Sequence, residues 1–398
     1  MATTPDFATY LHEYAVVSTA KEARWVDVEW SDGRHTRFHH LWLRDNCPCN
    51  ECVTEITREQ TFEILTVPGE LAASTVERSR SGDVVVGWPD GHVSVFDAGW
   101  LRAHVYDIGT SSVPDNRTAT TKRISWDSSS FDAPPTFDAT AVLTNNDSLY
   151  EWLSALQTYG CSRVRGLPDD PDVVGALCGR IGMVRQTNFG VLWDVKSEPD
   201  PISNANTSLR LPPHTDLPTR EYQPGIQFLH CLVNDATGGD SVLLDGLRIV
   251  EILRSESETH FQTLSTVPWN WANRSKTSDY RYASPVIVLD GNGELAEIRV
   301  GNWLRAPLVD APFDRVEAAY EAYRHIFEIT YRPELVVQFR LEPGDCMIFD
   351  NRRILHARSE FDPNSGHRFL RGCYSEREEV ESRLRVLERE KRAAIAHS

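Results

Sequence analysis

Two groups of side chains in this sequence have the chemistry and the spacing of metal ligands. The first is a cluster of three cysteines in the segment LRDNCPCNECV: Cys47, Cys49 and Cys52. Thiolates two and three residues apart can converge on one tetrahedral ion, and a closed structural zinc site requires four ligands. The other cysteines are scattered singly, so a histidine is predicted to supply the fourth ligand. His92 is preferred because it follows the tight turn PDG, with His39 and His40 as alternatives.

The second group combines two histidines with a carboxylate. His214 and Asp216 are two residues apart in the segment LRLPPHTDLP, and His356 lies far downstream in FDNRRILHARSEF. Side chains at positions i and i+2 of a strand point to the same side, so His214 and Asp216 can face one ion. A histidine from a neighbouring strand completes a set of two histidines and one carboxylate, which leaves positions open on Fe(II). This open set is predicted to be the reactive centre, and the cysteine cluster is therefore assigned a structural role.

A cationic side chain and a hydroxyl accompany the second group. Arg368 lies in the segment HRFLRGCY, an apolar strand that has no structural need for a charge. Its guanidinium can hold a carboxylate through two parallel hydrogen bonds in a pocket of low dielectric. Ser241 in TGGDS follows His214 at a distance suited to the next hairpin, and its hydroxyl can support the same carboxylate. These two residues predict a carboxylate-binding site.

The elements that position these residues fall into two predicted domains. In residues 1–106, the segments RWVDVEW, RHTRFHHLWL, DVVVGW and HVSVF alternate around SDG and PDG turns, which indicates a small β-rich domain. Residues 107–140 are rich in Ser, Thr, Asp and Pro and are predicted to be a linker. Residues 141–398 begin with two helical segments, continue as many short strands and end in a charged helix. We therefore predict a mainly β fold with flanking helices (α+β), in which a double-stranded β-helix, or jelly roll, forms the catalytic domain.

Composition excludes several classes of function. The formal net charge is −17, which disfavours nucleic acid as a partner because such binding depends on Lys and Arg. The sequence contains neither a signal-peptide pattern nor an apolar stretch of membrane-spanning length. Singly scattered cysteines suit a reducing compartment. We expect a cytoplasmic protein with neither a membrane nor a nucleic-acid partner.

The order of the motifs resembles a known family. The segments WLRDNCPCNEC, HTDLP, PGIQFLHCL, TGGDS, PGDCMIFDNRRILHAR and RFLRGCY are similar to those of the γ-butyrobetaine and trimethyllysine hydroxylase family of Fe(II)/2-oxoglutarate-dependent dioxygenases. The resemblance implies a jelly-roll catalytic domain with a small zinc-binding N-terminal domain, assembled as a homodimer and acting on a small molecule. It implies O₂ and 2-oxoglutarate as cosubstrates, with ascorbate as a further candidate cofactor.

The resemblance also implies roles for individual residues. Iron is expected at His214, Asp216 and His356, and 2-oxoglutarate at Arg368 and Ser241. Structural zinc is expected at the three clustered cysteines and one histidine: Cys47, Cys49, Cys52 and His92.

Substrate residues follow from the same resemblance, which implies an aromatic cage for a trimethylammonium group, since quaternary cations are attracted to ring faces. Trp193 and Tyr374 match cage positions, and Phe189 stands where a tyrosine is common. Asn206 is also expected to contact substrate, although another tyrosine is usual there.

Two departures leave the completeness of this substrate site open. Asn302 is expected to bind substrate, but it belongs to the segment VGN, which replaces an Asn-Asn pair. Leu217 follows the HTD motif where the butyrobetaine enzymes often have an aromatic residue.

Together these features predict hydroxylation of an unactivated C–H bond in a small zwitterion, with γ-butyrobetaine as the leading candidate. Trimethyllysine, an ammonio-phosphonate or an amino acid are the alternative substrates. Two other classes are a non-catalytic zinc and jelly-roll binding protein, which the intact ligand set disfavours, and a zinc hydrolase that needs neither O₂ nor 2-oxoglutarate.

Overall fold

The computed structural model describes residues 4–106, 122–196, 206–275 and 277–396. The chain divides into two compact units. The first contains Met1–Thr120 together with Val386–Ser398, and the second contains Thr121–Arg385. Within the described ranges, no helix has both the length and the apolar character needed to cross a membrane.

The first unit contains two three-stranded antiparallel sheets. The first sheet has the order β1-β2-β3, with β1 (Val16–Lys21), β2 (Trp25–Trp30) and β3 (His35–His39). The second has the order β4-β5-β6, with β4 (Thr75–Arg78), β5 (Val84–Gly87) and β6 (Val93–Phe96). Two short helices accompany them, α1 (His40–Asp45) and α2 (Ala98–Ala103). Gly33 and Gly91 of the SDG and PDG turns have positive φ angles of 79° and 85°, which glycine adopts without steric cost.

One strand prediction in this unit is wrong at its C-terminal end. The segment RHTRFHHLWL does not continue as a strand, because α1 begins at His40. In the strand Thr36 and Phe38 are buried, and in the helix His40 and Leu43 are buried. Burial therefore changes from a spacing of two to a spacing of three, as a helix that packs one face on a core requires.

The second unit is built on the two facing sheets of a jelly roll, as predicted. The smaller sheet has the order β10-β20-β13-β18, with β10 (Leu211–His214), β20 (Ile354–Arg358), β13 (Ser241–Asp245) and β18 (Val337–Phe339). The larger has the order β7-β8-β19-β11-β22-β9, with β7 (Thr136–Asp138), β8 (Cys161–Arg165), β19 (Cys346–Asp350), β11 (Ile226–Asn234), β22 (Arg368–Ser375) and β9 (Trp193–Lys196). Shorter pairs complete the unit: β12 (Thr237–Gly238) with β21 (Phe361–Asp362), β14 (Trp269–Arg274) with β15 (Asp279–Ser284), and β16 (Ile287–Leu289) with β17 (Leu295–Ile298).

Side chains from both large sheets form one apolar core. Leu243 of β13 and Ile354 of β20 meet Leu229 of β11, Phe349 of β19 and Leu370 of β22 there. Because alternate residues of a strand face opposite sides, the side chains at the intervening positions of these strands point away from this core. The polar site residues described below lie in the same space between the sheets.

In the part of the chain that the structure describes, seven α-helices lie wholly or partly in the second unit, and the last of them continues beyond Arg385 as part of the first unit. They are α3 (Ala139–Thr144), α4 (Asn146–Tyr159), α5 (Val173–Gly179), α6 (Gly246–Glu256), α7 (Glu258–Thr266), α8 (Val316–Thr330) and α9 (Arg377–Ala396). Helices α6, α7 and α8 share a second apolar core with Trp269 and Trp271 of β14.

The predicted linker, residues 107–140, lies partly outside the described residues, which resume at 122. The described remainder contains β7, which pairs in parallel with β8. Trp126 is 2% exposed and belongs to the core between the sheets. Residues 122–140 are thus a structured part of the second unit.

Candidate active site

The three predicted iron ligands lie together at one end of the smaller sheet. His214 is the last residue of β10 and is paired with His356 of the neighbouring β20. Their ring centroids are 4.0 Å apart. Asp216 Oδ1 lies 3.4 Å from His214 Nε2 and 3.8 Å from His356 Nε2. Two adjacent strands therefore bring together His214 and His356, which are 142 residues apart in the sequence.

Hydrogen bonds fix two members of this triad. Nδ1 of His214 lies 2.9 Å from the Pro212 carbonyl oxygen, which can only accept, so this nitrogen carries the proton and Nε2 keeps a lone pair. The Tyr374 hydroxyl donates to Asp216 Oδ2 at 2.7 Å. Such fixed orientations are typical of side chains that bind a metal.

Asn351 holds the backbone of Asp216. Its Oδ1 accepts from the Asp216 amide at 2.7 Å, and its Nδ2 donates to the Asp216 carbonyl at 3.0 Å. Asn351 is fully buried. Leu217, the residue after Asp216, has a positive φ of 53°, which is uncommon for a residue other than glycine. The two hydrogen bonds with Asn351 and the backbone turn at Leu217 together direct the Asp216 carboxylate towards the two histidines.

Charge and burial set the protonation states of the site. Burial acts to raise the pKa of Asp216, but the adjacent His214 and His356 rings and the Tyr374 hydroxyl outweigh it and leave that pKa below its usual range. Burial, followed by the neighbouring His214, lowers the pKa of His356 to about 3. Burial and the adjacent Asp216 charge raise the pKa of Tyr374. At neutral pH the carboxylate is ionised, His356 is neutral and Tyr374 keeps its proton, so the triad is ready to bind a cation.

The predicted carboxylate-binding residues open onto the same triad. Arg368 and Ser241 line a small cavity of about 70 Å³ together with all three triad residues. Arg368 is 7% exposed, and its Nε donates to the Gly239 carbonyl at 3.3 Å. No ion pair to Arg368 occurs in the ranges that the structure describes. Burial lowers the pKa of Arg368 to about 10, so the group stays cationic. A buried cation of this kind favours an anionic ligand.

Two further polar residues, which were not predicted from the sequence, line this cavity. Gln227 is 1% exposed, and its Oε1 has no hydrogen-bond partner in the described part of the chain. Arg358 is 5% exposed and donates to the carbonyls of Thr207 and Leu209 at 2.6 and 2.8 Å. Arg358 could have been noticed from the sequence, because it lies two residues after His356 and therefore shares its side of the strand.

A second cavity, of about 100 Å³, meets the triad from another side. It contains four of the five expected substrate residues: Phe189, Trp193, Asn206 and Tyr374. The rings of Trp193 and Tyr374 are 5.0 Å apart. Leu217 also lines this cavity, at the position where an aromatic residue is common in the family that the sequence resembles.

The fifth expected substrate residue lies elsewhere. Asn302 is exposed and is not among the lining residues, whereas the adjacent Trp303 lines the cavity, 4.6 Å from the ring of His214. Asn273 of β14 also lines the cavity. No sequence signal marks Asn273, because β14 is brought here only by the tertiary fold. The role of Asn302 stays a prediction.

The cysteine cluster lies in the first unit, with the preferred histidine. His92 Nε2 lies 3.3, 3.6 and 3.7 Å from the sulfurs of Cys47, Cys49 and Cys52. In a zinc tetrahedron, bond lengths of about 2.3 Å to sulfur and 2.1 Å to nitrogen place these atoms about 3.6 Å apart. The ligand group consists of the three cysteines and His92, and it includes neither His39 nor His40. His39 instead contacts the Tyr106 hydroxyl. Arg44 donates to the Cys52 sulfur at 3.2 Å, a contact suited to a thiolate.

Comparisons with known proteins match both units. Residues 121–374 match the taurine catabolism dioxygenase TauD, TfdA family, and residues 17–102 match a gamma-butyrobetaine hydroxylase-like N-terminal domain. These ranges contain the His-Asp-His triad and the cysteine cluster, respectively.

Curated relatives match nearly the whole chain. Gamma-butyrobetaine dioxygenase from Pseudomonas sp. strain AK-1 is 46% identical, covering 96% of this chain and 99% of that protein. The protein of that name from Homo sapiens is 31% identical, covering 92% and 95%. Mitochondrial trimethyllysine dioxygenase from Homo sapiens is 30% identical, covering 88% and 83%.

Proposed function

Because the chain belongs to the TauD, TfdA family and is a 2-oxoglutarate-dependent dioxygenase, we propose that it hydroxylates γ-butyrobetaine to carnitine. The observation that carries the proposal is the meeting of two cavities at one triad. One cavity contains a buried guanidinium, and the other contains an aromatic wall. This arrangement provides separate places for an acidic cosubstrate and a cationic substrate around one reactive centre.

Fe(II) fits the triad by the chemistry of its donors. Each of His214, Asp216 and His356 can offer one ligand atom, and these atoms lie within 4.8 Å of one another. The set of two histidines and one carboxylate is typical of non-haem Fe(II) oxygenases. When bound there, Fe(II) would supply the open coordination positions at which 2-oxoglutarate and O₂ react.

Arg368 and Ser241 are proposed to orient 2-oxoglutarate by its distal carboxylate. The guanidinium holds that carboxylate through charge-assisted hydrogen bonds, which are strong in a buried site. In the overall reaction the bond between the keto and C1 carboxylate carbons breaks, giving CO₂ and succinate. One oxygen atom of O₂ enters succinate, and the other is inserted into a substrate C–H bond, whose hydrogen is retained in the new hydroxyl.

Trp193, Phe189 and Tyr374 are proposed to hold the trimethylammonium group of the substrate. Ring faces attract a quaternary cation, which has no hydrogen to donate. The amides of Asn206 and Asn273 are suited to hydrogen bonds with the substrate carboxylate. A substrate held at both ends in this way presents its methylene carbons to the triad.

Trimethyllysine is a second candidate substrate. A trimethyllysine dioxygenase is among the relatives, and Leu217 and Asn206 depart from the aromatic residues expected for a butyrobetaine enzyme. Because trimethyllysine also carries a quaternary ammonium group, the aromatic wall does not distinguish the two substrates.

A succinate-coupled screen tests the proposal. The enzyme is supplied with Fe(II), 2-oxoglutarate, ascorbate and O₂, and succinate formation is measured with γ-butyrobetaine, trimethyllysine, an ammonio-phosphonate and amino acids. We expect the largest stimulation with γ-butyrobetaine and formation of carnitine, and none with His214→Ala. Absence of stimulation by every trimethylammonium compound would reject the betaine proposal. Turnover without O₂ or 2-oxoglutarate would favour a zinc hydrolase.

We also propose a structural zinc ion at Cys47, Cys49, Cys52 and His92. Four protein ligands leave no open position, which suits structure and not catalysis. A homodimer and a cytoplasmic location are proposals that rest on the sequence resemblance and composition, respectively.

A further inference from the structure

The two oxygens of the Asp216 carboxylate have different surroundings. Oδ1 faces His214 Nε2 at 3.4 Å and His356 Nε2 at 3.8 Å. Oδ2 instead accepts the hydroxyl hydrogen of Tyr374 at 2.7 Å. Only Oδ1 is therefore directed to the point where the ligand atoms converge.

Burial, a backbone hydrogen bond and ring packing fix the position of Tyr374. It is 3% exposed, and its backbone carbonyl accepts from the Arg185 amide at 2.8 Å. Its ring packs against Trp193 and lines the cavity with the aromatic wall. One side chain thus contributes its ring to one cavity and its hydroxyl to the triad.

We propose that Tyr374 is a positioning residue that keeps Asp216 a one-oxygen ligand and so preserves an open coordination position. A carboxylate can bind an ion through one oxygen or both. The two-histidine, one-carboxylate set depends on open positions, and a second Asp216 oxygen would occupy one that 2-oxoglutarate or O₂ requires. The hydrogen bond to Oδ2 opposes that change.

The same residue links substrate binding to the triad. A substrate in the aromatic cavity would lie against the Tyr374 ring, whose hydroxyl fixes Oδ2. This inference rests on the proposed function for the identity of the substrate, but its claim about the carboxylate does not.

Tyr374→Phe tests the inference because it keeps the ring and removes only the hydroxyl. The first measurement uses full-length enzyme loaded with Mn(II) and no substrate, and records the affinity for 2-oxoglutarate by calorimetry. We expect that affinity to fall about threefold to tenfold, the range of one hydrogen bond. The affinity for Mn(II) alone should not fall, because Oδ2 becomes available to the ion.

The second measurement is the ratio of hydroxylated product to succinate, with ascorbate present. Ascorbate supplies the two electrons that turnover without hydroxylation requires, in which the second oxygen atom of O₂ leaves as water. We expect the ratio to fall severalfold in Tyr374→Phe. A smaller change is expected in its KM for γ-butyrobetaine, because the ring remains.

Tyr323→Phe is the matched control. Tyr323 is also buried, its hydroxyl has no hydrogen-bond partner in the described ranges, and it packs against Trp269 in the helical core. This variant should keep the wild-type 2-oxoglutarate affinity and product ratio.

Three results would overturn the inference. One is wild-type 2-oxoglutarate affinity of Mn(II)-loaded Tyr374→Phe. Another is a raised KM for γ-butyrobetaine with no change in the product ratio, which would leave Tyr374 as a cage wall only. The third is an equal loss of 2-oxoglutarate affinity in Tyr323→Phe. If γ-butyrobetaine fails as a substrate, the proposed function is rejected, and the Mn(II) measurement still decides the role of the hydroxyl.

Discussion

At the scale of single residues, the shape of the Arg368 guanidinium matters as well as its charge. Arg368→Lys keeps the cation but loses the planar fork that matches a carboxylate. We expect the KM for 2-oxoglutarate to rise about tenfold with a smaller change in kcat, since the lost interaction binds cosubstrate away from the reacting atoms. Steady-state kinetics with varied 2-oxoglutarate measures both constants.

The control for this substitution is Arg281→Lys, at an exposed arginine that pairs with Asp279. It should leave both constants unchanged. An unchanged KM for 2-oxoglutarate in Arg368→Lys would remove Arg368 from the cosubstrate site.

His230 is a second residue whose substitution has a measurable effect, in this case on the free energy of unfolding at acidic pH. It is fully buried on β11, and neither ring nitrogen has a hydrogen-bond partner within the described ranges. Burial lowers its pKa below 6.5, against the opposing charges of Asp169 and Asp170. Below about pH 6.5 the unfolded chain gains a proton that the folded chain does not, so the free energy of unfolding falls as the pH falls.

Replacing His230 should therefore reduce the acid sensitivity. We expect His230→Leu to lose less stability than the wild type between pH 7.5 and pH 5.5, measured from urea unfolding at each pH. His367→Gln removes an exposed histidine of the same unit and should leave the wild-type loss unchanged. Equal losses in His230→Leu and the wild type would show that His230 does not contribute.

At the scale of elements, strands β9 and β22 shape the aromatic cavity through a glycine. Gly372 of β22 is paired with Trp193 of β9, and a Cβ atom at Gly372 would lie 2.4 Å from the Trp193 ring. Gly372→Ala must therefore displace the ring. We expect the KM for γ-butyrobetaine to rise about tenfold, within the usual cost of overpacking. The KM for 2-oxoglutarate should rise less, because Trp193 also borders the cavity that contains Arg368.

Gly179→Ala is the matched control, because a Cβ atom there meets nothing within 4 Å. Both constants should match the wild type in this variant. An equal rise of both constants in Gly372→Ala would mean that the strand has moved as a whole and not the ring alone.

Elements also explain which residues could be predicted from the sequence. His214 and Asp216 were predictable because both lie at one strand end, and His356 because its apolar strand and preceding turn are local signals. Asn351 was not, because its contact is with Asp216, 135 residues away, and the segment FDN gives no sign of the partner. Trp303 was missed for a similar reason, since only the tertiary fold brings it to the triad.

The sheets of both units could be predicted from the sequence, but one helix and one structured segment could not. Alternating apolar residues and Gly-containing turns indicated the sheets of both units, because side-chain alternation is local. The helix α1 and the structured segment 122–140 were not indicated, because their burial depends on cores formed by distant residues.

At the scale of the whole molecule, each unit has its own apolar core. Val26, Phe38, Val86 and Leu101 belong to that of the first unit, and the two cores described above for the second unit are formed by side chains of that unit. A core as small as that of the first unit would gain much of its stability from the proposed zinc ion. We therefore expect two unfolding transitions in calorimetry, with zinc stabilising only the first unit.

Reciprocal cysteine substitutions test this expectation. Cys49→Ser should reduce zinc from about one ion per chain to well below one and lower the transition of the first unit, since a closed site needs all four ligands. Cys161→Ser, in the core between the large sheets, should lower the other transition and leave the zinc content unchanged. If Cys49→Ser abolished hydroxylation while zinc content and both transitions stayed at wild-type values, the cysteine cluster would have a catalytic role, and its assignment as structural would be wrong.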